Sequence, residues 1–381
     1  MVERPFWIKK IKEGLNSRPI VWLAGVRRTG KTFICKMFKE ADYYDCERPS
    51  VRQQIENEAF LNGLGKKSRL LILDEIHRLS DPAGFLKVIA DHYKNLKVIA
   101  TGPSSLAATL KFKDTLTGRK VRVWLTPCNR YDQEAFGIKE LKKRLLLGGL
   151  PPFLLNKEWD EMFYQEWLDS YWSKDIQEMF KVGHRSSFLK FFELIMAQSG
   201  GMFEAQRFAA PCEVSRPTIM SFLNILETTF TVDIVRPFSK RLATEIVSAP
   251  KVYCFDTGFV AFANGWRDLP NDKAGLLFEH YVLNEFNSLF QQPVLNYWRD
   301  KAQHEIDFVW KPRGKPPVAI ECKWSEKLFD GASMKSFRGR HPEGQNLLIA
   351  ADCKARREFS DGSLKITAIG PGMIRDIIDS L

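Results

Sequence analysis

The sequence predicts an α/β protein in which a parallel sheet comes first, a helical segment second and another α/β unit last. Apolar strands alternate with helix-like segments across residues 1–130, and this alternation is typical of a parallel sheet covered by helices. Helical periodicity with a helix–turn–helix spacing dominates residues 131–265. Residues 266–381 contain a long helix-like stretch and several strands. We therefore expect three domains with these boundaries in a chain of 381 residues.

The composition indicates a folded and basic chain. Apolar residues make up 44% of the sequence, enough for sizeable cores, and the formal net charge is +11. Such a charge suits an acidic polymer such as DNA, although basic proteins without a nucleic-acid partner also exist. Seven scattered cysteines without a C-x-x-C pair are typical of reduced thiols, so we expect a cytoplasmic protein. The longest apolar stretch, residues 145–155, is broken by glycines and prolines, so no membrane span is predicted.

The first predicted strand, residues 20–24, runs into a glycine-rich loop. The loop matches G-x-x-x-x-G-K-[ST] from Gly25 to Thr32. Its glycines let backbone N–H groups point inward around anionic oxygens, and the N-terminus of the following helix, expected to run from Lys31 to Glu40, adds a partial positive charge. Lys31 is expected to reach the β- and γ-phosphates of ATP, and the Thr32 hydroxyl to ligate Mg²⁺. A chance motif in a glycine turn is the alternative, and the strand and helix on either side argue against it.

An apolar strand followed by two acidic residues, over residues 69–77, matches the Walker B pattern. In a parallel sheet the carboxyl end of this strand lies beside the glycine loop. Asp74 is expected to hold Mg²⁺ through water, and Glu75 to orient or deprotonate the attacking water. An acidic turn at a strand end is the alternative for an isolated pair of this kind.

Polar residues after the next strand, residues 96–102, complete the predicted nucleotide site. Thr101 or Ser104 is expected to sense the γ-phosphate from between the two Walker strands, and helix capping is the alternative for Ser104. Arg119 is either an arginine finger that acts on the nucleotide of a neighbouring copy, which requires a homo-oligomer, or a surface arginine. The predicted nucleotide-binding residues are Gly25, Val26, Arg27, Arg28, Thr29, Gly30, Lys31, Thr32, Phe33, Asp74 and Thr101, and the predicted catalytic residues are Lys31, Glu75 and Arg119.

These motifs resemble those of the prokaryotic AAA+-type ATPases of the P-loop superfamily. The resemblance rests on the glycine loop, on Asp74 and Glu75, on the strand end Thr101-Gly102 and on Leu-Thr-Gly-Arg119. The resemblance covers nearly the whole chain and is to one branch of these ATPases. In that branch the ATPase is followed by a winged-helix segment and by a restriction-endonuclease-like segment of the PD-(D/E)XK type. It implies a P-loop NTPase sheet with ATP and Mg²⁺ as cofactors. Serine usually follows Thr-Gly in that branch, whereas this chain has Pro103.

Residues 186–260 are predicted to form a winged helix, in which helix, turn and helix have a DNA-reading arrangement. The expected elements are helices over 188–198, 203–210 and 214–227 and wing strands over 231–237 and 251–255. Ser215 is a good N-cap for the third helix. Candidate DNA contacts are Arg216, Ser221, Asn224, Arg236, Lys240 and Arg241. A module that binds only a protein partner is the alternative.

The last domain contains a hairpin with the acidic pattern of the restriction-endonuclease-like nucleases. Asp307 lies on its first strand, and Glu321 and Lys323 lie on one face of the second. Two carboxylates can bind Mg²⁺, which activates water and stabilises the charged phosphate in the transition state, and Lys323 would stabilise charge or position the water. Glu279, on the preceding helix, is expected to be a supporting acid and metal ligand, and Glu305 shares the face of Asp307 as a further candidate. A surface hairpin with a salt bridge is the alternative.

The sequence thus predicts an ATP-binding and ATP-hydrolysing protein that acts on DNA through its winged helix and nuclease-like domain. The alternative is a nucleotide-controlled switch that binds a protein partner and whose nuclease fold is catalytically inactive. Glu75 argues against a third class, a nuclease with a merely structural nucleotide. Salt-dependent binding to duplex DNA separates the first two hypotheses.

Overall fold

The computed structural model describes residues 2–57, 59–61, 63, 70–103, 115–156, 158–180, 182–239 and 249–380. These residues include three β-sheets, of five, three and six strands. Ser104, Lys240 and Arg241 lie outside the described residues. Among the helices that the structure describes, none combines the length and the apolar character needed to cross a membrane.

The first sheet has five parallel strands in the order β2-β3-β4-β1-β5, which confirms the predicted parallel sheet. The strands are β1 Ile20–Ala24, β2 Asp42–Asp45, β3 Leu70–Asp74, β4 Lys97–Thr101 and β5 Lys120–Trp124. The helices around them are α1 Pro5–Ser17, α2 Lys31–Cys35, α3 Pro49–Ile55 and α4 Pro82–His92, with a 3₁₀ turn at Ile76–Arg78. Strand β4 lies between β1 and β3, as predicted, so the strand end at Thr101 stands between the glycine loop and the Walker B acids.

Alternate residues of the central strand β1 enter two different hydrophobic cores. Ile20, Trp22 and Ala24 pack on the side of α3 and α4, whereas Val21 and Leu23 pack on the side of α1. All five residues have no exposed surface. A strand that is covered on both faces needs apolar residues throughout, and this explains why residues 20–24 have no polar alternation.

The helix after the glycine loop is shorter than predicted. It ends at Cys35 instead of Glu40. Beyond it the backbone N–H groups of Met37 and Phe38 bond to carbonyl groups three residues earlier. Such bonds tighten the chain into turns, so the continuous helical periodicity of residues 31–40 covers a helix and a following turn.

The middle of the chain is mainly helical and surrounds a small sheet of order β6-β8-β7. Its helices are α5 Arg130–Ala135, α6 Leu141–Leu147, α7 Pro151–Leu154, α8 Glu161–Tyr171, α9 Gln177–Phe180, α10 Arg185–Ala197, α11 Ala205–Ala209, α12 Arg216–Thr228 and α13 Thr257–Ala263, with a π-helical turn at Trp172–Ile176. Its strands are β6 Gly201–Met202, β7 Val232–Val235 and β8 Lys251–Cys254. Strands β7 and β8 pair antiparallel, and Ser215 caps α12 by accepting a bond from the N–H of Thr218.

The C-terminal part has helix α14 Ala274–Phe290 and a mixed six-stranded sheet of order β13-β14-β12-β11-β10-β9. Its strands are β9 Leu295–Arg299, β10 Glu305–Trp310, β11 Val318–Lys323, β12 Asn346–Ala350, β13 Arg357–Asp361 and β14 Leu364–Ile369, and its other helices are α15 Ala332–Arg340 and α16 Ile374–Ser380. The sequence did not predict α15 or β13. Helix α15 places only Met334 and Phe337 in the core as apolar side chains, and β13 is a largely polar edge strand, so neither has a clear apolar period.

The middle and C-terminal parts share one hydrophobic core, which includes Trp167 of α8, Phe222 of α12 and Ile320 of β11. Helix α14 lies inside this core, and twelve of its residues are buried. One of them is Glu285, whose carboxylate accepts a bond of 2.8 Å from the backbone N–H of Arg130. This contact joins α14 to the start of α5.

The pH dependence of stability should reveal the buried Glu285. Burial raises the pKa of its carboxyl from 4.5 to about 7, so folding favours the protonated form. Its contribution is therefore most favourable below pH 4.5 and decreases as the pH rises through 7. Glu285→Gln removes this titration. Between pH 5 and 8 the melting temperature of the wild type should fall relative to that of the variant, and parallel melting curves across this range would contradict the prediction.

Candidate nucleotide site and acidic cluster

The glycine loop has the backbone geometry that its sequence predicts. Gly25 and Gly30 have φ angles of 147° and 96°, which L-residues with a side chain rarely adopt. A Cβ atom at Gly25 would also overlap the carbonyl oxygen of Leu125. The Lys31 ammonium donates to the carbonyl oxygens of Gly25 at 2.8 Å and of Val26 at 3.1 Å. The lysine therefore lies over the loop that precedes its own helix, at the place where phosphate oxygens are expected.

Asp74 is held at the end of β3 by hydroxyl groups from both neighbouring strands. Tyr43 of β2 donates to Asp74 Oδ2 at 2.6 Å, and Thr101 of β4 donates to Asp74 Oδ1. The Thr101 hydroxyl also accepts the backbone N–H of Glu75 at 3.0 Å. Both oxygens of a carboxylate that is 3% exposed are thus oriented. The sequence indicated Thr101 but not Tyr43, because only the strand order places residue 43 beside residue 74.

Glu75 has a φ angle of 53°, which is unusual for a residue with a side chain and turns the chain sharply after β3. Its carboxylate lies 3.3 Å from His77 Nδ1. Burial acts to raise the pKa of Glu75, but His77, Lys31 and Arg27 act in the other direction, and the net shift is downward. The group is therefore held as a carboxylate at neutral pH, as a group that orients water requires.

A cavity of about 840 Å³ lies beside these residues. From the glycine-loop domain it is lined by Lys31, Thr32, Phe33 and Glu75, among others. Its other wall comes from the middle of the chain, where it is lined by Pro151, Pro152, Leu155, Lys174 and Asp175. The cavity thus has the size of a small-molecule site and collects residues from two parts of the chain. The middle-segment wall was not predicted as part of the nucleotide site.

Arg119 lies at the surface and forms an ion pair with Asp91 of α4, with distances of 2.6 and 3.0 Å between the guanidinium and carboxylate atoms. Both side chains are 32% exposed. Of the two expectations for Arg119, this contact corresponds to the surface arginine. The arginine finger stays a prediction, because a neighbouring copy is needed to test it.

The hairpin of β10 and β11 brings together the predicted acidic residues of the C-terminal sheet. Phe308 pairs with Ile320, so Asp307 and Glu321 stand opposite each other at the next position. The Lys323 ammonium lies 2.6 Å from Glu321 Oε2 and 3.4 Å from Asp307 Oδ2. Asp307 Oδ2 also accepts the N–H of Cys322 at 2.8 Å, and the side chain of this cysteine is buried in the core.

A second lysine, Lys251, forms ion pairs with the other two predicted acids, Glu279 and Glu305. Its ammonium lies 2.6 Å from Glu305 Oε1 and 3.5 Å from Glu279 Oε1, and its side chain is 7% exposed. The hydroxyl of Tyr253 also donates to Glu279. Lys251 and Tyr253 belong to β8 in the middle sheet, so the acidic cluster is completed from another part of the chain. The sequence placed both residues in the wing and gave no sign of this contact.

The acids differ in how well they suit a metal ion. Glu321 Oε1 has no hydrogen-bond partner among the described residues, although its side chain is only 4% exposed. Burial and the adjacent Asp307 raise the pKa of Glu321 well above its usual value. A buried, unpartnered oxygen opposite a second carboxylate fits a divalent cation held by Asp307 and Glu321. Within the described residues, however, no three His, Cys, Asp or Glu side chains are placed to share a metal, so a third-ligand role for Glu279 stays a prediction.

The predicted DNA-contacting side chains Arg216, Ser221, Asn224 and Arg236 are exposed. Three of them, Arg216, Asn224 and Arg236, line one groove of about 480 Å³ between α12 and the middle sheet. The same groove contains Met220, which is 48% exposed, and Glu227. The groove therefore combines two arginines with apolar residues and two acids, Glu204 and Glu227.

Comparisons with known proteins agree with the geometry of the first domain. Residues 17–132 match the sequence model of the AAA domain. The N-terminal part of the chain is thus similar to P-loop ATPase domains. Residues 138–269 and 274–367 match two domains of unknown function, DUF8612 and DUF4143, which leaves the winged-helix and nuclease-like assignments as hypotheses.

The relatives of the whole chain are distant. Uncharacterized proteins of Mycobacterium tuberculosis and Mycobacterium bovis are each 23% identical over 347 residues, which cover 88% of this chain and 77% of each relative. A Walker-type ATPase of Pyrococcus abyssi matches with a TM-score of 0.47 and 17% identity, over 69% of this chain and 96% of that one. DnaA from Aquifex aeolicus, solved with AMPPCP bound, matches with a TM-score of 0.27 and 12% identity, over 57% of this chain and 86% of that one. Both TM-scores are below 0.5, so neither match bears on function.

The buried Lys251 should contribute strongly to stability. Lys251→Met removes the ammonium that Glu279 and Glu305 share and leaves two partly buried carboxylates without it, at an expected cost of about 3–5 kcal/mol in the free energy of unfolding. A matched control is Lys335→Met, which breaks the exposed pair of Lys335 and Asp361 and should cost less than about 1 kcal/mol. Urea denaturation at pH 7.5 measures both. Equal destabilisation by the two variants would contradict the structural role of Lys251.

Proposed function

We propose that the chain is a magnesium-dependent ATPase whose nucleotide cycle controls a DNA-binding winged helix and a nuclease-like C-terminal domain. The observation that carries the ATPase proposal is the position of Asp74, fixed by Tyr43 and Thr101 beside Glu75 and the glycine loop. A lone glycine loop would be weaker support, because phosphate binding alone does not require oriented carboxylates.

In this proposal the loop from Gly25 to Thr32 binds the phosphates through its N–H groups and through Lys31. Thr32 and Asp74 are the residues that would hold Mg²⁺, which offsets the charge of the phosphates when it is bound. Glu75 orients the attacking water and accepts its proton. Tyr43 and Thr101 act on Asp74 by restricting its rotation, and Thr101 also holds the backbone of Glu75.

The DNA part of the proposal rests on charge and exposure. Arg216 and Arg236 are exposed on one groove beside α12, and the chain as a whole is strongly basic. In the C-terminal sheet, Asp307 and Glu321 are the residues that would hold a divalent cation, which supplies an activated water for phosphodiester cleavage. Lys323 lies close enough to both acids to offset their charge. An oligomer in which Arg119 reaches a neighbouring nucleotide is part of this proposal.

The second candidate is a nucleotide-controlled switch that binds a protein partner. Two observations favour it. The groove beside α12 contains the exposed Met220 and an acid, Glu227, which suit a protein surface better than a phosphate backbone. Lys251 also offsets two acids of the nuclease-like sheet from within the chain, which is compatible with a nuclease fold that serves as a scaffold.

Variants of the Walker residues test the ATPase. Glu75→Gln should bind ATP about as tightly as the wild type but hydrolyse it at least about 100-fold more slowly, because the carboxylate that orients water is lost. Lys31→Ala should weaken ATP binding itself. Tyr43→Phe should lower the rate about tenfold, since Asp74 loses one hydrogen bond. Steady-state phosphate release and calorimetry measure these effects.

The control for Tyr43→Phe is Tyr44→Phe. Tyr44 lies on the same strand, but its side chain packs on the other face, against Phe60. Its variant should keep the wild-type rate. An unchanged rate in Glu75→Gln would remove the catalytic assignment, and equal losses in the two tyrosine variants would remove the specific role of Tyr43.

Binding to duplex DNA separates the two candidate functions. Arg216→Ala and Arg236→Ala should each weaken binding and lower the slope of affinity against salt by about one, because each phosphate contact releases about one counterion. Arg267→Ala is the control, since Arg267 is a 77% exposed arginine that pairs with Glu161 away from the groove. Filter binding between 50 and 200 mM salt, about the range over which phosphate contacts are lost, measures the slope. No binding at the lowest salt would favour the switch.

A further inference from the structure

The tip of the glycine loop is bonded to the middle of the chain. Trp167 is fully buried on α8 and donates its indole N–H to the backbone oxygen of Arg27 at 3.1 Å. The Arg27 guanidinium donates to Asp175 Oδ2 at 2.9 Å. These partners are 140 and 148 positions away in sequence. The conformation of the part of the loop between Gly25 and Gly30 therefore depends on α8 and on the π-helical turn at Trp172–Ile176.

Further contacts strengthen this junction. The Arg28 guanidinium lies 4.8 Å from the ring centre of Phe163, and Arg78 lies 3.2 Å from Glu178 Oε2. The middle segment thus meets both the glycine loop and the turn after the Walker B strand. Because Arg28 and Arg78 themselves line the cavity, the segment that contacts them is part of the site.

Lys174 lines the same cavity but lacks a counterion. It precedes Asp175 on the π-helical turn, its side chain is exposed, and it forms no ion pair with the other residues that the structure describes. The cavity also contains Arg27, Arg28 and Lys31. Asp175 pairs with Arg27 and Glu166 lies 3.9 Å from Arg28, whereas Lys174 is a cation of the cavity wall whose charge an anionic ligand would offset.

The residue that precedes the π-helical turn contacts the predicted winged helix. Such turns are rare and occur frequently at functional sites. The hydroxyl of Tyr171, immediately before the turn, bonds to Thr229 Oγ1 at 2.6 Å and to Thr231 Oγ1 at 3.1 Å. These threonines follow the end of α12. One short segment therefore joins the cavity to the helix that is predicted to read DNA.

We infer that Lys174 is a phosphate-binding residue that the middle segment contributes to the nucleotide site, with Asp175 as the positioning residue that docks the turn on Arg27. This inference rests on the proposed ATPase function and adds a ligand from outside the P-loop domain. Its ligand class is the terminal phosphate of a nucleoside triphosphate, because Lys174 lines the same cavity as the glycine loop but belongs to the wall that the middle of the chain supplies. A triphosphate held by both Lys31 and Lys174 would fix the position of the π-helical turn. Through the hydrogen bonds of Tyr171 it would also fix the position of the end of α12.

The test compares the affinities of the full chain for a non-hydrolysable ATP analogue and for ADP, both with Mg²⁺, by calorimetry. Lys174→Ala should weaken binding of the ATP analogue about 10- to 100-fold, the range expected for one charge-assisted hydrogen bond, and change ADP binding less than about threefold. Lys174→Arg should keep most of the preference for the ATP analogue. Asp175→Asn should reduce the same preference, because the turn loses its ion pair with Arg27.

The control is Lys142→Ala, which removes an exposed lysine of α6 outside the cavity and should change neither affinity. If Lys174→Ala weakens ADP and the ATP analogue equally, or weakens neither, the inference is wrong while the ATPase proposal stands. If the wild type binds neither nucleotide, the ATPase proposal fails and the inference fails with it.

Discussion

The buried ion pair between Arg4 and Asp132 fixes the frame of the first domain. The two side chains are 1% exposed and meet through two hydrogen bonds, of 2.8 and 2.6 Å. A third nitrogen of Arg4 donates to the backbone oxygen of Thr29 at 2.6 Å, and the Trp7 indole N–H donates to Asp132. A buried charge pair is tolerated only when its hydrogen bonds are satisfied, so α1, the glycine loop and the segment after β5 must keep one relative arrangement. The glycine loop is thereby held by the segments that precede the first strand and follow the last strand of its own sheet in the chain.

The same loop is also held by the middle of the chain, through the hydrogen bonds of Arg27 with Trp167 and Asp175. Arg4 donates a hydrogen bond to Thr29, whereas Trp167 and Asp175 bond to Arg27. The two ends of the loop tip are therefore held by different parts of the chain. The first anchor is fully buried and should be permanent. The second is an ion pair whose side chains are 26% and 17% exposed, and a phosphate can compete with its carboxylate for the arginine. A nucleotide could therefore change the contact with the middle segment without disturbing the frame of the ATPase domain.

The features that the sequence predicted well are formed by residues that are close together in the chain. The strand, glycine loop and helix around Gly25 to Thr32 form one local unit, and the acids after β3 and the pattern of β10 and β11 are local as well. What it did not predict are partners that only the tertiary fold brings together: Tyr43 with Asp74, Lys251 with Glu305, and Trp167 with Arg27. A tyrosine in a strand or a tryptophan in a helix is expected in any core, so no sequence pattern distinguishes these side chains. The π-helical turn was missed for a related reason, because its residues continue the helical periodicity of α8.

The two acidic sites of the chain are built in opposite ways. Asp74 is oriented by two neutral hydroxyl groups, which leave its negative charge available to a cation that enters with the nucleotide. The acids of the C-terminal sheet instead face two ammonium groups of the protein, Lys323 and Lys251. The first arrangement suits an ion that exchanges in every cycle. The second stabilises a fixed contact between the middle and C-terminal sheets, since Lys251 belongs to β8. Within it, the unpartnered oxygen of Glu321 stands opposite Asp307, and these two acids keep the chemistry of metal ligands.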